Sequence, residues 1–455
     1  MNEKNQITEG VIWKHLLFFF FPVVAGMFLQ QIYNAADTIV VGRFVGKEAL
    51  AAVGGSVNQI VNLIVEVFVG LTSGAAVIVS QFYGAKDRKN LEKTIHTTYA
   101  LAIAAGFVIG ILGLIFSETI LTFMKTPDEL MKDSLQYLHI YFLGIVFNLV
   151  YNMGASALRA MGDSRRPLYV LAVACSLNVV LDIFLVVVCR MGVAGAATAT
   201  IFCQGISACI VTWMLMSKEK FCRLELKKIR IHMNSLRSVL RIGIPAGFEA
   251  AMYCVANIVI QVFVNKLGTD HVAAWGTFGK IDAAFWMIVN AFGISITTFV
   301  GQNYGAGKIR RMRRSVMVCL LMSYISAVTM SIILMTFARP LYGLFTTDAA
   351  VIDIGVYMMR FLMPSYFLYV VIGILSGALR GAGRVLVPVL LTCGGVCILR
   401  IMWMLVLLPV HPGIETIMLS YPASWSITAV LFIIYYIRRF PGSRSSRSLT
   451  PQKML

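Results

Sequence analysis

Charge is the scarcest commodity in this chain. Only 13% of its residues are Asp, Glu, Lys or Arg, against 58% that are apolar, whereas a soluble domain usually carries about 25% charged residues. That deficit argues for lipid as the solvent. Histidine is rare as well: the six residues (15, 96, 139, 232, 271, 411) are scattered, mostly near loops, and form no His/Glu metal cluster of the kind a hydrolytic enzyme needs. No Gly-rich phosphate loop is present, which argues against direct ATP drive. The nine cysteines include no CxxC pair. Cys393 and Cys397 share a helix face four residues apart and read as small apolar packing rather than a metal or redox site. The expectation is therefore no enzyme, no metal and no resident cofactor.

What the chain does have is long apolar runs of about 20 residues or more, the length that crosses a ~30 Å hydrocarbon core as helix. Lipid leaves backbone groups no partner but one another, so only helices or closed barrels span it. Uninterrupted runs such as Leu101 to Phe116 exclude the alternating barrel pattern. The hydropathy places spans at 12–41, 50–82, 95–117, 134–158, 167–189, 194–217, 236–265, 272–302, 315–338, 352–379, 386–408 and 416–437. The fold class is an all-α polytopic membrane protein of twelve transmembrane helices. A net charge of +18 would suggest nucleic acid in a soluble protein. Here the basic residues gather in alternate connections, those containing Lys86, Arg159, Lys228, Arg311 and Arg384 and the C-terminal tail, and are sparse in the others. That is the positive-inside pattern, with both termini cytoplasmic. The first apolar run is too long for a cleaved signal peptide and continues into Gln30, Asn34 and Asp37.

The chain repeats itself at an offset of about 221 residues. Ser80-Gln-Phe-Tyr-Gly-Ala-Lys86 returns as Gly301-Gln-Asn-Tyr-Gly-Ala-Gly307, and Ala157-Leu-Arg-Ala-Met-Gly162 as Ala378-Leu-Arg-Gly-Ala-Gly383. Pro167 and Pro388 follow at the same distance, and Pro22 aligns with Pro245. Each half holds six spans, an even number, so both enter the membrane in the same direction. The two six-helix lobes are then related by a pseudo-two-fold along the membrane normal, with substrate near the midplane. The expected division is an N-lobe over 1–217, a cytoplasmic linker over 218–240 and a C-lobe over 241–455 ending in a basic tail. The linker reads as a solvated, inside-anchoring loop, with contact to anionic lipid secondary.

Ionisable residues inside spans cost several kcal/mol, so each is a functional candidate. In the N-lobe they are Asp37, Glu66 and Asp182, with no buried Lys or Arg beside them. Gln30, Asn34 and Asp37 fall on one helix face, as do Asn58, Asn62 and Glu66. Asn148, Asn152 and Ser156, Asn178 with Asp182, and Thr200, Gln204 and Ser207 complete a polar chamber. Interhelical glue is the competing explanation for the carboxamides. A carboxylate whose protonation follows its access to water is what proton or sodium coupling requires, and Asp37 and Asp182 are assigned that role, with Glu66 a weaker candidate. The C-lobe mixes Glu249 and Asp282 with Lys280, Arg360 and Arg400, which predicts fixed ion pairs that are structural or orient substrate. Pro22 removes a helix hydrogen bond and kinks span 1, a candidate gate. Tyr33, Tyr137, Tyr141, Tyr151, Tyr253, Trp275, Phe278, Phe285 and Trp286 are candidates to line a cavity for aromatic cations. Gly70/Gly74 and Gly106/Gly110 read as close helix packing.

These features together resemble the MATE (multidrug and toxic compound extrusion) family. The resemblance covers nearly the whole chain and rests on the two-lobe plan, Pro22 with Asp37, Val41-Gly-Arg-Phe-Val-Gly46 with Ala51-Ala-Val-Gly54, the two pairs of repeated motifs, and Asn178 with Asp182. It implies a cation-coupled antiporter, H+ favoured over Na+, that exports amphipathic organic cations or other toxic compounds by alternating access. It further implies that Asp37, Asn178 and Asp182 match the cation or proton site of the DinF-like branch, and Pro22 the proline of its bending first helix. A glutamate that another branch uses for sodium falls at Tyr253, with Glu249 one turn earlier. Glu66 and Arg400 match no role in the family. The expected partners are small-molecule substrates and membrane lipid, with no nucleic acid, for a monomer in the cell inner (plasma) membrane. The alternatives are a lipid-linked precursor flippase of the same superfamily, which the acidic N-lobe chamber disfavours, and a channel or facilitator, which the unequal halves disfavour.

Overall fold

A computed structural model describes residues 7–217 and 222–440; Lys218 and Lys220 of the linker and the basic tail beyond 440 lie outside the described residues. Twelve helices are long and apolar enough to cross a membrane: span 1 (Ile12–Phe44), span 2 (Lys47–Gly84), span 3 (Arg88–Phe123), span 4 (Asp128–Ala160), span 5 (Arg165–Val188), span 6 (Gly192–Ser217), span 7 (Met233–Asn265), span 8 (Thr269–Gly305), span 9 (Ile309–Thr336), span 10 (Ala349–Gly381), span 11 (Leu386–Leu407) and span 12 (Ile414–Arg439). All twelve expected spans are present. Most are longer than hydropathy suggested, because polar first and last turns remain helical outside the apolar window. The surface is apolar in the manner of a lipid-facing protein: Val108, Ile111, Leu112 and Ile115 on span 3 and Leu321, Ile325 and Val328 on span 9 are exposed.

The repeated motifs are helix caps. After span 2, the Lys86 N–H donates to Tyr83 O at 3.1 Å and the Asp87 N–H to Phe82 O at 3.0 Å. After span 8, Gly307 and Lys308 donate in the same way to Tyr304 and Asn303. Spans 4 and 10 close likewise, Gly162 and Asp163 donating to Arg159 and Leu158, and Gly383 and Arg384 to Arg380 and Leu379. All four are Schellman turns, whose closing residue must adopt a left-handed backbone. Glycine fills that position at 162, 307 and 383 (φ 94°, 69° and 79°), but Lys86 fills it after span 2 (φ 57°). The internal repeat therefore preserves the chemistry that stops two helices in each half.

Two compact units divide the chain, Phe21–Gly247 and Met1–Phe20 with Phe248–Leu455. The divisions fall inside spans 1 and 7, beside Pro22 and Pro245, not in the linker. The start of each of these helices is thus packed with the unit that does not hold the rest of it. In the first unit, span 4 packs against spans 3, 6 and 2. Span 7 begins on span 2 by backbone-to-backbone approach: a Cβ at Gly70 would sit 2.5 Å from Gly247 Cα, and one at Gly74 would sit 2.6 Å from Gly243 N. Gly106 and Gly110 pack span 3 on span 4 at Val146 and Phe142. Only residues without side chains permit such crossings. In the second unit, span 8 packs against spans 9 and 10, and span 10 against span 12. Residues 7–10 are strapped to this unit by Arg311, whose guanidinium donates to the carbonyls of Ile7 (3.1 Å), Gly10 (2.8 Å) and Glu9 (2.6 Å).

The fifth span of each half widens into a π-helical segment, Ile183–Val188 directly after Asp182 and Cys393–Ile398 directly before the turn that carries Arg400. Such segments interrupt the regular ladder and re-aim neighbouring side chains. Both thus stand beside a buried charge.

Candidate functional site

Within the unit Phe21–Gly247, spans 1, 4, 5 and 6 bring one set of polar groups together. Asp37 is 9% exposed, and Asn178 and Asp182 are fully buried. Asp37 and Asp182 lie within electrostatic reach of each other, and both act on Tyr33 and Tyr137. Tyr33 lies beside Thr200, and Tyr141 beside Gln204. Six of these residues have at least one buried polar atom without a hydrogen-bond partner: Tyr33 Oη, Asp37 Oδ1, both amide atoms of Asn178, both carboxylate oxygens of Asp182, Thr200 Oγ1 and Gln204 Oε1. Neither carboxylate has an ion-pair partner among the described residues.

Magnitudes separate the two explanations of such a cluster. Polar glue between membrane helices contributes about 0.6–2 kcal/mol through hydrogen bonds actually made. Here Asp182 makes none, while burying an unpaired ionised carboxylate costs several kcal/mol. The cluster is a poor structural device and a good receptor for a proton or a small cation, either of which removes that cost.

The other expected chamber residues are placed differently. Gln30 and Asn34 share a helix stripe with Asp37 but are exposed. Asn62 is exposed and donates to Asn58 Oδ1 at 3.0 Å, and Asn152 donates to Asn148 Oδ1 at 2.9 Å. Both are satisfied within their own helices. Glu66 is exposed on span 2 and makes no hydrogen bond or ion pair among the described residues. Pro22 lies inside span 1, one residue past the division between the units. Sequence reading placed Tyr33 and Tyr137 only among cavity-lining aromatics. Their closeness to the acids depends on helix rotation, for which no single-span pattern gives a signal.

The unit that contains Phe248 onwards is built otherwise. Glu249 pairs with Arg380 at 3.8 Å, and Arg380 also donates to Ser376 at 3.0 Å. Arg380 was legible only as part of a repeat motif. The expected cations are elsewhere: Lys280 and Arg360 are exposed, so they form none of the buried pairs anticipated. Arg400 is buried (4% exposed) but stacks on Tyr421, 3.8 Å from its ring centre, and donates to Ser424 at 3.2 Å. Asp282 accepts from Trp286 Nε1 at 2.6 Å. Trp286 lies 4.6 Å from Tyr369, 6.1 Å from Tyr366 and 6.3 Å from Trp425 between ring centres, and the Tyr253 and Tyr369 hydroxyls are 3.1 Å apart. In the interior of this unit Glu249 has a cation beside it, Arg400 rests on aromatic rings, and Asp282 is buried against Trp286 with its Oδ1 unpartnered.

The family model MatE matches residues 22–184 and again 245–406, each match beginning at a span proline. The chain belongs to the MatE family. Its members are membrane transporters, which accords with the twelve spans and the repeat. The probable multidrug resistance protein YoeA of Bacillus subtilis is 26% identical over 439 residues, 94% of each chain. A FAD transporter of Shewanella oneidensis is 24% identical over 361 residues, 78% of each chain. The fold matches that of a MOP superfamily transporter from Pyrococcus furiosus at a TM-score of 0.88 and 20% identity, over 96% of this chain and 97% of that one. This MatE protein is thus a multi-pass membrane transporter with the family fold over nearly its full length.

Proposed function

We propose that this MatE protein is a cation-coupled antiporter, driven by H+ rather than Na+, that exports amphipathic organic cations. The observation that carries the reading is the buried, unpaired Asp37 and Asp182 with Asn178, Tyr33 and Thr200 around them. A proton from outside neutralises a carboxylate and removes the cost of burying its charge. Loss of that proton toward the cytoplasm restores an acidic chamber that attracts a cationic substrate. Because proton and substrate compete for the same carboxylates, each leaves as the other enters, and exchange follows. A proton is favoured over sodium because Tyr253 stands where a sodium-using branch of the family places a glutamate. The protein sits in the plasma membrane with both termini cytoplasmic, as the basic connections indicate. Multidrug relatives such as YoeA support the substrate class.

A second reading has its own support. Arg400 is buried with no acidic partner at ion-pair distance among the described residues, within a frame of tyrosines and tryptophans, and one relative is named a FAD transporter. Both favour a planar aromatic substrate that bears an anionic group.

Proteoliposomes with imposed proton or sodium gradients test the reading. Wild type should accumulate a cationic dye only under a proton gradient, and Asp37→Asn should not. Gradient-independent dye movement would sink the antiporter reading, and uptake of a flavin nucleotide in preference to the dye would select the second one.

A further inference from the structure

Between spans 6 and 7, the described part of the linker, Cys222–His232, runs along the end of span 3 as an ordered strap. Its inner side is fixed. Leu224 is buried with Tyr99, Val211 and Leu215, and its N–H donates to Leu215 O at 3.1 Å. His96, itself buried, accepts the Glu225 N–H at Nε2 (3.1 Å) while Nδ1 meets Glu92 O at 2.6 Å. Seven residues on, the His232 N–H donates to Thr97 Oγ1 at 3.1 Å. The strap is thus pinned at both ends to one helical turn of span 3.

That pinning turns a mixed surface outward. Leu226 (52%), Ile231 (49%) and Met233 (70%) are exposed, interleaved with exposed Arg223, Lys227, Lys228 and Arg230. Glu225 pairs with Lys228 at 2.9 Å. Arg237 and Arg241 extend the exposed basic stripe up the first turns of span 7. An apolar patch wants to leave water, and the cations within it want anions. Span 7 begins at Met233, so Leu226 is at most about 25 Å of chain from a membrane-crossing helix. The surface within that reach that supplies acyl chains and anions together is an anionic bilayer.

We propose that this strap is a docking surface for anionic phospholipid headgroups, with Lys227, Lys228 and Arg230 meeting phosphates while Leu226, Ile231 and Met233 enter the interfacial layer. Docking would hold the connection between the two sequence halves against the bilayer.

The test is hydrogen exchange of segment 223–232 in the full-length protein, in nanodiscs of phosphatidylglycerol or of phosphatidylcholine. Exchange in phosphatidylglycerol should be slower by about tenfold or more, as two or three engaged cations imply. Lys227→Gln/Lys228→Gln/Arg230→Gln should abolish the difference between the lipids. Leu226→Ser/Ile231→Ser, which keeps every charge, should reduce it. Equal exchange of wild type in the two lipids would overturn the proposal, a readout that needs no variant to fold. So would a full difference in the charge-removed protein. Protection in phosphatidylcholine on adding glycerol phosphate would reassign the patch to free phosphate, and so overturn it as well.

Discussion

The two units of this MatE protein share a sequence repeat, four matching helix caps and a π segment in each fifth span, yet they treat buried charge differently. The unit Phe21–Gly247 buries Asp37 and Asp182 with no ion-pair partner among the described residues. The other buries Glu249 against Arg380, holds Arg400 on Tyr421 and buries Asp282 against the Trp286 indole N–H. A paired or stacked charge has its energy satisfied in place and resists change, whereas an unpaired one is stabilised only by something that arrives. Duplicated architecture thus fixes where helices stop and cross, while a few side chains decide which half can respond to an ion.

The largest effect should come from the unpaired acids. Asp182→Asn should reduce proton-driven transport by roughly 100-fold or more, since it removes a group worth several kcal/mol to the coupled step. Thermal unfolding in detergent should be unchanged or slightly raised, because the variant no longer buries a carboxylate. A large loss of stability would instead make Asp182 a structural residue and erase the contrast between units.

The paired charges should behave conversely. Glu249→Gln or Arg380→Met alone should destabilise by about 3 kcal/mol, by stranding the remaining charge, and the double variant by clearly less. A double-mutant cycle on unfolding measures this, and additive effects would show that the pair is no pair. Spans 2 and 7 approach closely within the first unit. Gly74→Ala there should cost about 2 kcal/mol, because the added methyl meets backbone rather than a side chain that can move.

The linker strap gives a pH dependence. Burial, with Arg230, Lys93 and His96 nearby, pushes the His232 imidazole below its usual 6.5. The Glu92 carbonyl, Glu225, Arg223 and Lys228 also face this end of span 3. A strap released from span 3 takes up its proton near pH 6.5, and one pinned to span 3 resists until lower pH. Pinning to span 3 is therefore at full strength above about 6.5 and weakens as pH falls. Hydrogen exchange of 223–232 in detergent, corrected for intrinsic rate, should quicken between pH 7.5 and 5.5, and His232→Gln should flatten that change. The smallest effect separates the two copies of one cap: Lys86→Gly should stabilise by about 0.5–1 kcal/mol, since glycine adopts the left-handed turn freely, while Gly307→Lys should cost a similar amount.

Much of the fold was legible because lipid is an unforgiving solvent. Twelve apolar runs could become only helices, and the repeat marked their ends. The candidate site was legible in part. Asp37, Asn178 and Asp182 stood out because ionisable and amide groups are costly in spans, and the structure gathers them with Thr200 and Gln204. Helix periodicity groups residues by face but does not say what that face meets. Gln30, Asn34, Asn62 and Glu66 have the right spacing yet are exposed. The same blindness made Lys280 and Arg360 look like buried partners and hid Arg380, which lies in a cap motif next to a loop. The division of spans 1 and 7 between units was invisible for a related reason: a proline marks where a helix bends, not which neighbours each half finds.

The most direct measurement is the proton flux that accompanies substrate export in proteoliposomes, recorded for wild type, Asp182→Asn and the double variant Glu249→Gln/Arg380→Met. The expected result is that Asp182→Asn moves no protons with substrate while the double variant keeps the wild-type ratio of protons to substrate. Coupling retained in Asp182→Asn and lost in the double variant would place the ion in the other unit and contradict the assignment.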